Sequence, residues 1–180
     1  HLVVIVLLVS SFQFAQAESF TINGINNQPQ TLDCNDTGTV TIGGELNCNS
    51  WVAISSTGSG NSVINSGKIT TEAENTECIY STGASFKLTN NVTGRIWTKV
   101  NNSAAIYLGP NPDANINNSG SIKTMKKASP GIVSRGSNAN ITITESGNLI
   151  TEGGSSRAIV SEGPGAKITN EGTIVTKGDD

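Results

Sequence analysis

The sequence predicts an all-β fold, a parallel β-helix (solenoid) of about five to six coils with three short strands per coil and a 25–27 residue repeat. Three observations carry this. A glycine recurs as Gly44, Gly67, Gly94, Gly120, Gly147 and Gly172, in steps of 23, 27, 26, 27 and 25 residues. Two residues after each comes an aliphatic (Leu46, Ile69, Ile96, Ile122, Leu149, Ile174), and two further on come Cys48, Thr71, Thr98, Thr124, Thr151 and Thr176. Ten residues then separate Ile69 from Ile79, Ile96 from Ile106, Ile122 from Ile132 and Leu149 from Ile159.

Each unit contains three short extended segments. The first holds the series Ile64, Leu88, Ile116, Ile143 and Ile168. The second is the G-x-I-x-T segment. The third holds Ile54, Ile79, Ile106, Ile132 and Ile159, preceded by the small residues Ala53, Cys78, Ala105, Gly131 and Ala158. Segment length and β-branched content favour strands, and no unit carries ten residues of helical period. Side-chain alternation turns the threonines inward with the aliphatics, and Thr70, Trp97, Lys123, Ile150 and Val175 outward. Asn-Ser-Gly and Asn-Glu-Gly read as turns in which Gly and Asn accept positive φ. Asn65, Asn91, Asn118 and Asn170 read as a partial asparagine stack.

A unit this small cannot bury a core alone. It does so by stacking on its neighbours, each strand pairing in parallel with its equivalent about 4.8 Å away. A β-sandwich would want hairpins without one constant unit, and a propeller blade about 40 residues.

The two ends read differently. Residues 1–17, HLVVIVLLVSSFQFAQA, have an apolar run too short to span a bilayer and then Ala15-Gln16-Ala17, which predicts a signal peptide cleaved before Glu18. Residues 18–44 read as an N-terminal cap and incomplete first coil, as an apolar stack end requires. Residues 45–180 form the repeat domain, which is expected to continue beyond Asp180.

Composition narrows the chemistry. Charged residues are 14% of the chain and the net charge is −3, with no Lys/Arg run to follow a phosphate backbone, so no nucleic-acid partner is expected. His1, in the leader, is the one histidine, which removes Ser-His-Asp and Cys-His catalysis. Paired carboxylates remain, with Glu72 and Glu74, Glu145 and Glu152, and Asp113 as candidates. Glu72 and Glu152 are separated by the coils around Val100 and Lys126, so a solvated face is the preferred reading and no catalytic residue is assigned. No metal or cofactor motif is present. Cys34 and Cys48, 14 residues apart, flank the expected cap and form the candidate disulfide. Alternatively Cys48, in the threonine column, faces inward unpaired. Cys78 reads as a buried free thiol. Tyr80, Tyr107, Val133 and Val160 each follow an isoleucine of the third series, giving an outward stripe with Ser55 before it; this is the candidate contact surface.

The stretches INSGKITT, INNSGSIKT, TESGNLIT and ITNEGTIVT, with AIYLG and RAIVSEG between them, resemble the passenger region of bacterial autotransporters, the type V secreted proteins of Gram-negative outer membranes. The resemblance implies export to the cell surface, outer membrane or medium, and a C-terminal membrane barrel that the sequence does not contain. It also implies adhesion or self-association as the task. The expected function is a non-enzymatic surface or secreted β-helix whose partners are a host-cell or matrix protein or glycan, or another copy. The alternatives are a polysaccharide-binding or polysaccharide-degrading β-helix, and a passive stalk.

Overall fold

The computed structural model describes residues 19–178. The expected leader at 1–17 and the terminal Asp179-Asp180 lie outside the described residues. Twenty short strands follow one another in threes, and each coil gives one strand to each of three parallel sheets. The fourth coil is typical, with strands Lys87–Asn90, Arg95–Thr98 and Ile106–Leu108. Six coils are complete, and Lys167–Asn170 and Thr173–Thr176 begin a seventh. The all-β solenoid expected from the repeat is the observed fold.

The second and third sheets pair in the predicted register. Leu46, Ile69, Ile96, Ile122, Leu149 and Ile174 stand in one column. Ile54, Ile79, Ile106, Ile132 and Ile159 stand in another. Up to Leu149 and Ile132 these side chains are wholly buried. The threonine column points inward to a corner, where Thr124 Oγ1 donates to Ser129 O at 2.6 Å and Thr151 Oγ1 to Ser156 O at 3.1 Å, while the buried Thr98 Oγ1 has no partner among the described residues.

The first sheet differs from expectation at two positions. Its inward column is Val63, Leu88, Ile116, Ile141 and Ile168, not Ile64 and Ile143. Ile64 points outward beside Thr89 and is 38% exposed. Ile143 is buried, but one inward position later, opposite Asn118 and Asn170. At Ile64 the six-residue spacing of a short-turn coil selects its neighbour Val63; at Ile143 the cause is an alternation in turn length. Between first- and second-sheet strands, four residues (Thr41–Gly44, Asn91–Gly94, Thr144–Gly147) alternate with two (Ser66-Gly67, Ser119-Gly120, Glu171-Gly172). A register counted back from the glycine therefore slips on every second coil. Each long turn leans on the short turn beneath it: Thr93 Oγ1 donates to Ser66 O at 2.7 Å and Ser146 Oγ to Ser119 O at 2.9 Å.

The asparagine stack is Asn65, Asn90 and Asn118, with Asn90 in place of the expected Asn91. Asn91 has left the strand, and its Nδ2 donates to Ser66 Oγ at 2.8 Å. Short-turn coils carry Asn65, Asn118 and Asn170 at this inward position, while the long-turn coils carry Val40, Asn90 and Ile143. Asn65 and Asn170 each accept the turn glycine's N–H through Oδ1, at 3.2 Å, which closes a two-residue turn. A four-residue turn closes on its own backbone, as Gly94 N to Asn91 O at 2.7 Å, and tolerates an aliphatic there.

The repeat glycines serve a purpose other than the expected positive φ. Left-handed residues occupy the other two corners, for example Asn75, Asn102, Ala128 and Ser155 at φ of 58, 54, 52 and 56°. At Gly120 a Cβ would drive into Asn91 O and Gly94 O of the coil below. The constraint there is close approach of stacked backbones.

Residues 20–32 give one strand to each sheet, and the next coil starts with Thr37–Val40. Phe20 pairs with Gly38, and its ring fills the space that a side chain at 38 would need. That ring closes the first-sheet end of the core.

Candidate functional site

The tyrosine stripe lies on the outer face of the third sheet. In Ile79–Ser81 and Ile106–Leu108 the flanking residues are buried, so the central tyrosine is turned outward. Ser55, Tyr80, Tyr107, Val133 and Val160 stand in one column on five successive coils. The two phenol rings stack with centroids 5.3 Å apart and 15° between planes. Arg135 extends this pair: its guanidinium carbon lies 5.4 Å from the Tyr107 ring centroid, while Nε meets Glu162 Oε2 at 3.0 Å. Such a cation–π contact contributes about 0.5–1 kcal/mol at an exposed site. Val133 is only 8% exposed, so the tyrosines are the more open part of the stripe.

Four of the five candidate carboxylates are engaged by a lysine or an asparagine. Glu145 and Glu152 flank opposite ends of the strand Asn148–Thr151. Glu72 meets Lys99 Nζ of the next coil at 2.6 Å, and Glu152 meets Lys123 Nζ of the previous coil at 2.9 Å. A hydrogen bond and charge from these lysines hold both carboxyls below their usual range. Glu74 accepts from Asn101 Nδ2 at 3.3 Å, and Asp113 from Asn138 Nδ2 at 3.2 Å. Glu77 behaves differently. Burial pushes its carboxyl up, against a weaker lowering by its own backbone N–H. Sequence reasoning does not single out Glu77, because its burial comes from the fold.

All three cysteines are free thiols in the structure. Cys34 is exposed after the strand Gln30–Leu32, whereas Cys48 lies in the core at the end of Glu45–Cys48. These positions are at opposite ends of the third sheet. Burial raises the Cys48 thiol, and it raises the Cys78 thiol much further. Cys78 Sγ lies 3.0 Å from Trp97 O. Two such thiols are poor nucleophiles.

The outer face of the second sheet holds the remaining aromatic group. Trp97 is half-buried in the predicted outward column, between Thr70 and Lys123. Its Nε1 donates to Ser121 Oγ at 3.4 Å, and the Arg95 guanidinium carbon lies 5.4 Å from its ring centroid. Arg95 follows the glycine directly, a position whose side chain varies along the repeat, so periodicity does not mark it.

Among the described residues no three of His, Cys, Asp and Glu lie together as metal ligands would, and no helix is long and apolar enough to cross a membrane. No protein-family model, curated protein or solved structure matches the chain.

Proposed function

We propose that the protein is a non-enzymatic, exported β-solenoid of a bacterial surface that works by display, offering its third-sheet face for adhesion or self-association. The observation that carries this is the stacked Tyr80–Tyr107 pair, continued in register by Val133 and Val160. Parallel pairing holds these side chains about 4.8 Å apart on a stiff support. Weak contacts made together then add through effective concentration. The partner under this reading is a host-cell or matrix protein or glycan, or a second copy of the chain. Export is supported by the leader-like residues 1–17 and by the resemblance of residues 45–180 to autotransporter passengers.

The carboxylates support the absence of turnover. Glycoside hydrolysis needs one carboxyl kept protonated near neutral pH beside a second one. Glu72 and Glu152 are lowered by their lysines, so neither is held protonated near neutral pH.

The test is the double variant Tyr80→Ser, Tyr107→Ser in the full chain. Binding to cultured cells and matrix-coated surfaces, together with sedimentation for self-association, is compared with the parent. We expect a loss of about tenfold or more, as removal of two aromatic contacts predicts, with unchanged circular dichroism. Unaltered binding in a folded variant overturns the assignment of the stripe.

A further inference from the structure

The alternating turns leave a notch in the edge of the solenoid. The short turn Ser66-Gly67 lies between the long turns that carry Ile42 and Thr93, and a recess of about 220 Å³ opens over it. Ile42, Glu45, Ser66, Lys68, Thr93 and Arg95 line the recess, the Glu45 carboxylate being held by Lys68. A second recess of about 320 Å³, lined by Asn47, Asn49, Lys68, Glu72 and Lys99, opens at the other side of the same sheet. Lys68 borders both. Trp97 stands on the next coil, in register with Thr70.

The charges on this face are uneven. The two recesses are lined by Lys68, Arg95 and Lys99 against Glu45 and Glu72, and Lys123, Lys177 and Glu152 lie farther along the stack, in a chain whose net charge is −3. Four of those cations are paired: Lys68 with Glu45 at 3.1 Å, Lys99 with Glu72 at 2.6 Å, and Lys123 and Lys177 with Glu152 at 2.9 and 3.7 Å. Arg95 has no carboxylate partner among the described residues. Its guanidinium instead leans on the Trp97 ring, with one side lining the notch.

We infer that this face binds a carboxylate-bearing polysaccharide, with Arg95 holding a uronate carboxylate and Trp97 giving the sugar ring a surface to lie against. The planar guanidinium fork matches a carboxylate in two parallel hydrogen bonds. The half-buried indole beside it has its polar edge satisfied by Ser121, which leaves its exposed carbons to meet the C–H face of a pyranose. Arg95 is the cation free to meet an incoming carboxylate, because the four lysines already meet glutamates. The site is separate from the tyrosine stripe and stands without it.

The experiment titrates the full chain with polygalacturonate, alginate and hyaluronate oligomers by calorimetry, and follows Trp97 emission in a Trp51→Phe background. Dextran oligomers serve as the neutral control and heparin as the sulfated one. The expected result is saturable binding of at least one uronate, quenching of Trp97, and no binding of dextran. Arg95→Gln is expected to weaken that binding by tenfold or more, and Trp97→Phe to weaken it less, both with unchanged circular dichroism. The proposal is overturned by failure of all three uronates, by binding that Arg95→Gln leaves intact, or by preferential binding of heparin without quenching. Loss of uronate binding with Tyr80→Ser, Tyr107→Ser in place of the Arg95 variant would move the glycan to the stripe and equally overturn it.

Discussion

Asn90 lies directly above Asn65, and Asn65 Nδ2 donates to Asn90 Oδ1 at 2.8 Å with both residues wholly buried. Asn90 Nδ2 then donates to Asn118 Oδ1 at 2.7 Å. The chain of amides ends where Ile143 stands in the same column, and Asn118 turns its Nδ2 to Asn148 O at 3.2 Å. A buried amide is stable here because each has a partner on a neighbouring coil.

That column inverts the usual rule for core substitutions. Asn65→Val strips partners from Gly67 N–H and Asn90 Oδ1, and is expected to cost about 2–4 kcal/mol. Ile143→Asn places an amide between Asn118 and Asn170 in a long-turn coil, and is expected to cost about 1 kcal/mol or less. Ile141→Asn, two residues away in the apolar column, should cost more than about 3 kcal/mol. Urea denaturation of the three variants reads these values. Equal losses at 141 and 143 would mean that the column is not polar.

Gly120 separates two explanations of the repeat glycines. Its φ is not positive, so helix-free propensity alone makes Gly120→Ala neutral or slightly stabilising. The backbone oxygens of Asn91 and Gly94 predict a loss of at least about 2 kcal/mol. Gly24→Ala is the control, since a Cβ there meets nothing within 4 Å. Matching thermal midpoints for the two variants would refute the close-approach argument.

Glu77 sets a pH signature. Its folded carboxyl is raised by burial, so the folded state binds the proton more tightly than the unfolded chain. The charged form opposes folding above the folded pKa, and that opposition disappears as pH falls through it. Glu77→Gln is therefore expected to raise the thermal midpoint at pH 7 and to lose this advantage in acid. Glu72 and Glu152 act in the opposite sense. Their lowered carboxyls contribute stability above the ordinary carboxylate pKa, lost as pH falls through the folded values. A Glu77→Gln advantage that stays constant from pH 7 to pH 4 would show that the carboxyl is not desolvated.

The sequence made two of the three sheets legible because the span from the second sheet to the third is constant. Ile96 to Ile106 and Ile122 to Ile132 are both ten residues, so the columns align by counting. The first sheet did not align that way. Ile64 stands next to Val63, which takes the inward place, whereas Ile141 and Ile143 both point inward and the variable turn removes the ruler that would choose between them. Outward positions were readable by parity, which is how Tyr80 and Tyr107 come out adjacent. The pairing of Arg95 with Trp97, and of lysines with glutamates a coil away, depends on rotamers and side-chain reach that no spacing encodes.

The alternation of long and short turns makes the heritable building block a pair of coils. Gly67, Gly120 and Gly172 are 53 and 52 residues apart, and Gly94 and Gly147 are 53 apart. Excising one coil would set a long turn upon another long turn, and the contact in which Thr93 covers Ser66 would have no counterpart. Excising two would rejoin like with like. A gene encoding such a chain can lengthen or shorten it by duplication in steps of about 53 codons without a new junction, so natural variation in its reach should be quantised in doublets.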